Sequence, residues 1–484
     1  MKGAVEPRLS RGLRDLLSEP MLARQRMIET IRRVYELYGF VPLGTPAVEY
    51  LDVLTGTAGS ETQQSIFTVQ SPEREALGLR FDLTVPLARV VAQYHDLPRP
   101  YRRYQVSPVW RADKPNPGRY REFIQFDLDS VGVESEIADT EIIAGMCDTL
   151  AALAVGPFRV RFSSRGLLDR MLATAAVPEG GAADVLRVLD KLEKVGLAKV
   201  KLELTTGYRD ESGDTIRGLG MAAEQVATIE RFLEIRGDRR QEVIARLRSF
   251  FGEQPGAAAE IDLVERISSQ LAALGYGDDQ VTLDLSIARG LAYYTGPVFE
   301  AVLLDAPQFG SVFGGGRYDD LVMRFLGEKV PATGASLGVD RLLGALIHLG
   351  RAGGRKATAQ VLVARIDRAL EEECLAMTWE LRRAGIPAEL YLGTEKGVGK
   401  QIKYADLTGI PIVLLYGSTE KERGIVTLKD MEVGRELAKK VDARREWLAQ
   451  RPGQRAVPRP ELIATVREML GAAASPPPLP PAEL

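Results

Sequence analysis

Arg111, Arg119 and Arg121 crowd around one loop in residues 99–132 (RPYRRYQVSPVWRADKPNPGRYREFIQFDLDSVG). Each guanidinium offers a planar fork of N–H donors that matches the oxygens of a phosphate or carboxylate in pairs. Phe123 follows, a flat ring among polar residues, and Gln125, Asp127 and Asp129 continue its spacing of two. Anion forks beside a ring suit a phosphate joined to a flat base, so the stretch reads as a nucleotide site. A strand with one wetted face alternates in the same way. What favours chemistry is the clustering of the arginines with the ring in their midst.

A strand, a loop and a second strand must hold these groups. Lys114, Pro115, Asn116, Pro117 and Gly118 form a turn cluster that a sheet interior excludes. Beyond it Glu122, Ile124, Phe126 and Leu128 share a largely apolar face, opposite Arg121, Phe123, Gln125, Asp127 and Asp129. The arriving strand sets Arg103, Gln105, Ser107, Val109 and Arg111 on one face, and antiparallel pairing lets both strands line a single surface.

Upstream, Met21, Met27, Ile28, Ile31, Val34 and Tyr35 give a helix over about 19–38 an apolar stripe, ended at Gly39. Residues 40–49 read as a short extended piece. Residues 79–88 (LRFDLTVPLA) alternate and are expected to be a strand. Asp82 and Thr84 would lie on one side of it, suited to an ammonium group or simply to water.

After the hairpin come a helix at 135–154 and a strand at 157–163. Residues 165–278 are mostly helical and carry no assignable chemical motif. The sheet pattern resumes with Val281, Leu283, Leu285 and Ile287, then with 298–304, two strands flanking Arg289, Tyr293 and Tyr294. FGGGRYD (313–319) permits close approach of backbone to a ligand or a strand, or is a loop. GASLGVDRLL (334–343) passes from strand to helix, with Arg341 in the first turn, where a bound anion would compensate its unfavourable place on the dipole. A polar linker at 350–356 leads to a small α/β domain. Its strands are expected at 360–366, 386–392, 411–416 and 425–428, and its helices at 367–384, 399–407 and 460–470. Lys396, Lys400 and Lys403 give it a basic edge, solvated or in contact with RNA. Residues 471–484 are rich in Ala and Pro and are expected to be disordered.

The 484 residues suggest about three domains. A net charge of -3 excludes a broadly basic surface, so nucleic-acid contact must come from local patches. Cys147 and Cys374 lie too far apart for a ligand pair and read as buried thiols, and two histidines disfavour a histidine-rich metal site. Neither a hydrophobic leader nor an eighteen-residue apolar run is present, which predicts a cytoplasmic protein without membrane segments.

Taken together these segments resemble the histidyl-tRNA synthetases, a family of class II aminoacyl-tRNA synthetases. TPAVE (45–49) resembles motif 1, YRRYQVSPVWRADKPNPGRYREFIQFDLD motif 2, and GASLGVDRLL motif 3. ARGLAYYTG and FGGGRYDDL resemble the signatures of the histidine enzymes, and GKQIKYADLTGIPIVLLYG their anticodon-binding domain. Several ordered motifs are far more specific than one.

The resemblance implies ligation of L-histidine to tRNA(His) through a histidyl-adenylate, with release of AMP and diphosphate and with Mg2+ accompanying ATP. Arg111, Arg289 and Arg341 match the catalytic arginines. Asp113, Arg119 and Phe123 join Arg111 and Arg341 around ATP, and Asp82, Thr84, Gln125, Asp129, Arg289, Tyr293 and Tyr294 match the histidine pocket. Ala292 stands where the family usually has Asp, and Asp82 and Asp129 where some members have Glu.

The implied fold is an α+β class II catalytic domain, mainly antiparallel sheet with helices, over 1–164 and 279–350. A helical insertion at 165–278, touching the tRNA acceptor stem, interrupts it. An α/β anticodon-binding domain covers 357–471 and a Pro-rich tail 472–484, and motif 1 implies a homodimer. Two related readings are weighed against this. The non-catalytic regulatory subunit of ATP phosphoribosyltransferase usually lacks the C-terminal domain and loses the ATP arginines. A synthetase for proline, threonine or glycine leaves ARGLAYYTG and Asp129 unexplained.

Overall fold

The computed structural model describes residues 5–56, 65–114, 118–210, 213–287, 294–354, 356–394, 397–438 and 453–471. The chain divides into two units, Met1–Asp15 with Arg24–Ala352, and Leu16–Ala23 with Gly353–Leu484.

The first unit contains, in chain order, β1 (Val41–Pro42), β2 (Val48–Tyr50), β3 (Thr68–Gln70), β4 (Ala76–Leu79), β5 (Tyr101–Trp110), β6 (Glu122–Val131) and β7 (Phe158–Ser164). The hairpin β8 (Gly207–Arg209) and β9 (Thr215–Arg217) follows, then β10 (Val281–Leu283), β11 (Pro297–Leu303), β12 (Ser311–Arg317) and β13 (Ala332–Gly338). Eight strands form one sheet in the order β1-β5-β6-β13-β12-β11-β7-β10. Its six inner strands pair antiparallel, and only the short edge strands β1 and β10 pair parallel.

The apolar side of β6 decides what covers the sheet. Phe126 and Leu128 are fully buried there. Tyr35 of the Ser18–Leu37 helix meets Phe126 edge-on at 4.9 Å between ring centres. Gly145 of the Ile137–Ala152 helix approaches Leu128. Burying each such side chain contributes about 1.5–3 kcal/mol. The pleat then commits Phe123, Gln125, Asp127 and Asp129 to the opposite face.

The chain between β7 and β10 is mainly helical. Its last helix, Ala257–Ala273, packs on the Ile137–Ala152 helix and on β7, so part of this segment belongs to the layer beneath the sheet.

Two expected strands differ. Residues 79–88 are not a strand: β4 ends at Leu79 and the Thr84–Gln93 helix begins within the segment. Asp82 Oδ1 accepts the Val85 N–H at 2.9 Å, and Pro86 sits in the first turn, where its missing N–H costs nothing. Leu83, Leu87, Val90 and Val91 are buried at helical spacing. The strand expected through Ile287 stops at Leu283, because Asp284 turns the chain by accepting from the Ser286 N–H and hydroxyl. Leu285 and Ile287 stay buried beyond it.

The second unit is a five-stranded sheet in the order β15-β14-β16-β17-β18, built from β14 (Val361–Val363), β15 (Ala388–Leu390), β16 (Ile412–Leu415), β17 (Ile425–Asp430) and β18 (Gln454–Pro458). Val361 and Val363 pack with the Glu371–Arg383 and Leu462–Leu470 helices, while Leu362 and Ala364 pack with the Val398–Thr408 helix, so helices cover both faces. Cys147 and Cys374 are free and buried, and burial pushes their thiols up to about 12 and about 11. No helix among the described residues is long and apolar enough to cross a membrane.

Candidate active site

The β5–β6 register sets Val109 opposite Phe123, Ser107 opposite Gln125, Gln105 opposite Asp127 and Arg103 opposite Asp129. On the other side of β6, β13 sets Gly338 against Gln125, Ser336 against Asp127 and Gly334 against Asp129. Two glycines make room above this floor. A Cβ on Gly334 would lie 2.0 Å from Asp129 Oδ1, and one on Gly316 of β12 would lie 2.7 Å from the Tyr294 ring. Gly334 of β13 and Gly316 of β12 therefore each leave a gap on neighbouring strands where another side chain must lie across.

Over the floor opens a cleft of about 300 Å³, lined among others by Arg111, Asp113, Arg119, Phe123, Gln125 and Tyr294. Arg341, in the first turn of the Val339–His348 helix, and Glu300 of β11 add to its polar lining. Arg111 donates from Nε to the Phe81 carbonyl at 3.1 Å, and its guanidinium sits 4.4 Å from the Phe81 ring centre and 5.3 Å from that of Phe123. Burial makes Arg111 less basic than usual, and Asp82, Asp113 and Asp127 oppose that loss. Arg341 Nη1 donates to the Ser311 carbonyl at 2.7 Å. Gln125 Nε2 donates to Ser336 Oγ at 2.7 Å.

A buried polar layer lies on the same face. Arg103 is fully buried and pairs with Asp129 Oδ2 at 2.9 Å. Asp129 Oδ1 accepts from the Tyr318 hydroxyl. Burial works against the charge of Arg103, but Asp129 and Asp127 outweigh it and leave Arg103 more basic than usual. Burial raises the carboxyl of Asp129 above its ordinary value, offset in part by Arg103 and Tyr318. It also carries Asp127 up to about 7, with Asp129 and Asp82 adding to the rise and Arg103 opposing it. The Tyr294 phenol is raised by burial and then by Asp129, Asp127 and Asp82.

Arg111, Asp113, Arg119, Phe123, Gln125, Tyr294 and Arg341 thus meet around one cleft. Asp82 is half-buried at the start of the Thr84–Gln93 helix and acts electrostatically on Arg111 and Asp127. It does not share a strand face with Thr84, which opens the helix outside the cleft lining. Asp129 lies buried beside the cleft rather than lining it. Arg289, Ala292 and Tyr293 fall outside the described residues. Sequence reasoning missed Tyr318 as the partner of Asp129 and the depth of Arg103. The first follows the FGGGR run directly, and the second shares the strand face of Arg111.

A mainly antiparallel sheet bearing an arginine-lined cleft, followed by a separate α/β unit, defines a class II aminoacyl-tRNA synthetase fold. The family model for histidyl-tRNA synthetase matches residues 12–342, and that for an anticodon binding domain matches 360–451. Histidine--tRNA ligases from Cereibacter sphaeroides and Paracoccus denitrificans are 43% and 44% identical, each alignment covering 95% of this chain and 97% of the relative. The histidyl-tRNA synthetase structure from Nostoc sp. superposes with a TM-score of 0.80 at 31% identity, covering 96% of this chain and 100% of that one. A Bacillus halodurans structure described as an ATP phosphoribosyltransferase regulatory subunit/histidyl-tRNA synthetase, 24% identical with a TM-score of 0.68 over 83% of this chain and 97% of its own, shares the fold. The chain belongs to the histidyl-tRNA synthetase family.

Proposed function

We infer that this chain ligates L-histidine to tRNA(His) in two steps. In the first, a carboxylate oxygen of histidine attacks the α-phosphorus of ATP, the bond to the β-phosphate oxygen breaks, and diphosphate leaves. In the second, a hydroxyl of the terminal ribose of the tRNA attacks the activated carbonyl, and AMP leaves. The nucleophiles belong to the substrates, so the protein contributes positioning and charge stabilisation. The observation that carries this reading is the convergence of Arg111, Arg119 and Arg341 on one cleft with the Phe123 ring.

In this reading Arg111 holds the α-phosphate, Arg341 the γ-phosphate, and Asp113, Arg119 and Phe123 the rest of ATP. Arg289 joins Arg111 where carboxylate and phosphate meet. Asp82, Thr84 and Gln125 take the amino and carboxylate groups of histidine, while Asp129, Tyr293 and Tyr294 take the imidazole. A carboxylate has about four acceptor sites, so Asp129 keeps capacity for a ring N–H beside Arg103 and Tyr318. Mg2+ enters with ATP, held chiefly by phosphate oxygens. The carboxylates that line the cleft and would help hold such an ion are Asp113 and Glu300.

The catalytic domain covers residues 1–164 and 279–350, with the 165–278 insertion contacting the tRNA acceptor stem. The unit at 357–471 reads the anticodon, the chain works as a homodimer, and its place is the cytoplasm. Diphosphate exchange into ATP, measured with each of the twenty amino acids, tests the assignment. Exchange that depends on histidine alone is expected. Exchange with another amino acid, or none from a folded chain, would refute it.

A further inference from the structure

The run SRGLRDLLS (residues 10–18) has no part in the site described so far, yet its first half ends against the cleft. The Gly12 carbonyl accepts the Arg121 N–H at 2.9 Å. The Arg14 guanidinium lies over the Tyr120 ring, 3.6 Å from its centre, and Tyr120 lines the cleft beside Arg119. Arg14 also donates to Asp340 Oδ1 at 2.8 Å, where Arg24 of the Ser18–Leu37 helix joins it at 3.3 Å. The other oxygen of Asp340 accepts the Ile124 N–H at 2.6 Å.

These contacts tie together segments that each carry a cleft residue. Asp340 precedes Arg341 on its helix, Ile124 lies between Phe123 and Gln125 on β6, and Tyr120 lies between Arg119 and Arg121 on the return arm of the loop. Exposed ion pairs contribute little, but the Asp340 side chain is only 4% exposed, and the Arg14 guanidinium sits over a ring at 3.6 Å from its centre. Lysine lacks that planar, stacking group.

We propose that Arg14 is a positioning residue for the nucleotide end of the cleft, holding Tyr120 against Asp340 so that Arg119 and Arg341 meet the nucleotide from fixed directions. The inference rests on reading the cleft as the ATP site. Arg14 is not among the described residues lining the cleft; it acts through the arm that bears Arg119 and the turn that bears Arg341.

Histidine-dependent diphosphate exchange with the full chain tests it, using Arg14→Ala, Arg14→Lys and, as a separate control, Arg111→Ala. Loss of a cation–π contact together with a charge-assisted bond should raise the KM for ATP about tenfold in Arg14→Ala, with the KM for histidine held within about twofold. Arg14→Lys keeps the charge but not the flat face and should raise the KM for ATP about threefold. If the alanine variant does not fold, the lysine variant decides alone. An unchanged KM for ATP, or a KM for histidine rising in step with it, overturns the role of Arg14. Exchange that survives Arg111→Ala would instead remove the ATP reading of the cleft. Exchange lost in Arg111→Ala beside parental KM values in both Arg14 variants would leave that reading standing and end this one.

Discussion

Asp127 is a buried carboxyl whose charge this fold disfavours. It is 1% exposed, faces Ser336 and Gln105 across its two neighbouring strands, and titrates at about 7 instead of the ordinary 3.8. Burial is the main cause, and Asp129 and Asp82 add to it. Because the folded chain binds this proton more tightly than the unfolded chain, protonation favours folding. The stabilisation is complete below about pH 4 and is lost as pH rises through about 7. From 3.8 to about 7, at about 1.4 kcal/mol per pH unit, the loss totals about 4 kcal/mol, of which about 3 falls between about pH 5 and pH 8.5. Asp127→Asn keeps the shape and does not titrate, so comparing the two proteins cancels the carboxylates that do not interact with Asp127. Calorimetry of parent and variant at both pH values should show the variant gaining about 4 °C in Tm over the parent on going from the lower to the higher. A Tm difference that stays constant would mean that Asp127 does not titrate between the two pH values, and a folded-state value of about 7 would be wrong.

Asp129→Ala should cost about 3–5 kcal/mol of stability by leaving Arg103 buried and unpaired, whereas Arg103→Met with Asp129→Leu should recover the fold but raise the KM for histidine. Denaturant titration and exchange kinetics read both effects, and a stable Asp129→Ala chain would contradict the first. Gly316→Ala puts a methyl 2.7 Å from the Tyr294 ring and should raise the KM for histidine more than that for ATP. Equal KM changes would detach Tyr294 from the amino acid. Arg111→Ala removes a donor from the reacting phosphate, so kcat for exchange should fall at least about a hundredfold. Near-parental kcat in a folded variant would take Arg111 out of the chemistry.

Local sequence carried the fold furthest where one period ran unbroken. Residues 124–129 alternate without a lapse, and the β5–β6 pairing places the expected residues opposite one another. It misled at 79–88, where Leu79, Phe81 and Leu83 alternate, yet Leu83, Leu87, Val90 and Val91 also repeat as a helix does, and the helical set is the one buried from Leu83 onward. Asp82 three residues before Val85 was the available sign of a helix start. The three consecutive glycines could not be resolved from sequence. Whether they form a loop or a strand depends on what crosses them, and that is set by Ala335 and Tyr294 in other segments.

The same division runs through the site. Groups that face the cleft, such as Arg111, Phe123 and Arg341, sit in motifs and could be read one by one. The layer beside them could not, because burial is a property of the assembled sheet. Arg102 and Arg103 are adjacent and alike in sequence, but Arg102 reaches a half-buried pair with Glu141, while Arg103 is sealed against Asp129. One residue of pleat separates a solvent-side arginine from an internal one. An internal arginine has strong consequences. It keeps Asp129 paired beside the cleft, and its field opposes the rise of Asp127. Arg103 is held by the Leu83 carbonyl as well, so its charge is oriented from two sides. In the proposed reading, a charge held in this way is oriented before the amino acid arrives, the condition under which electrostatic discrimination needs no reorganisation.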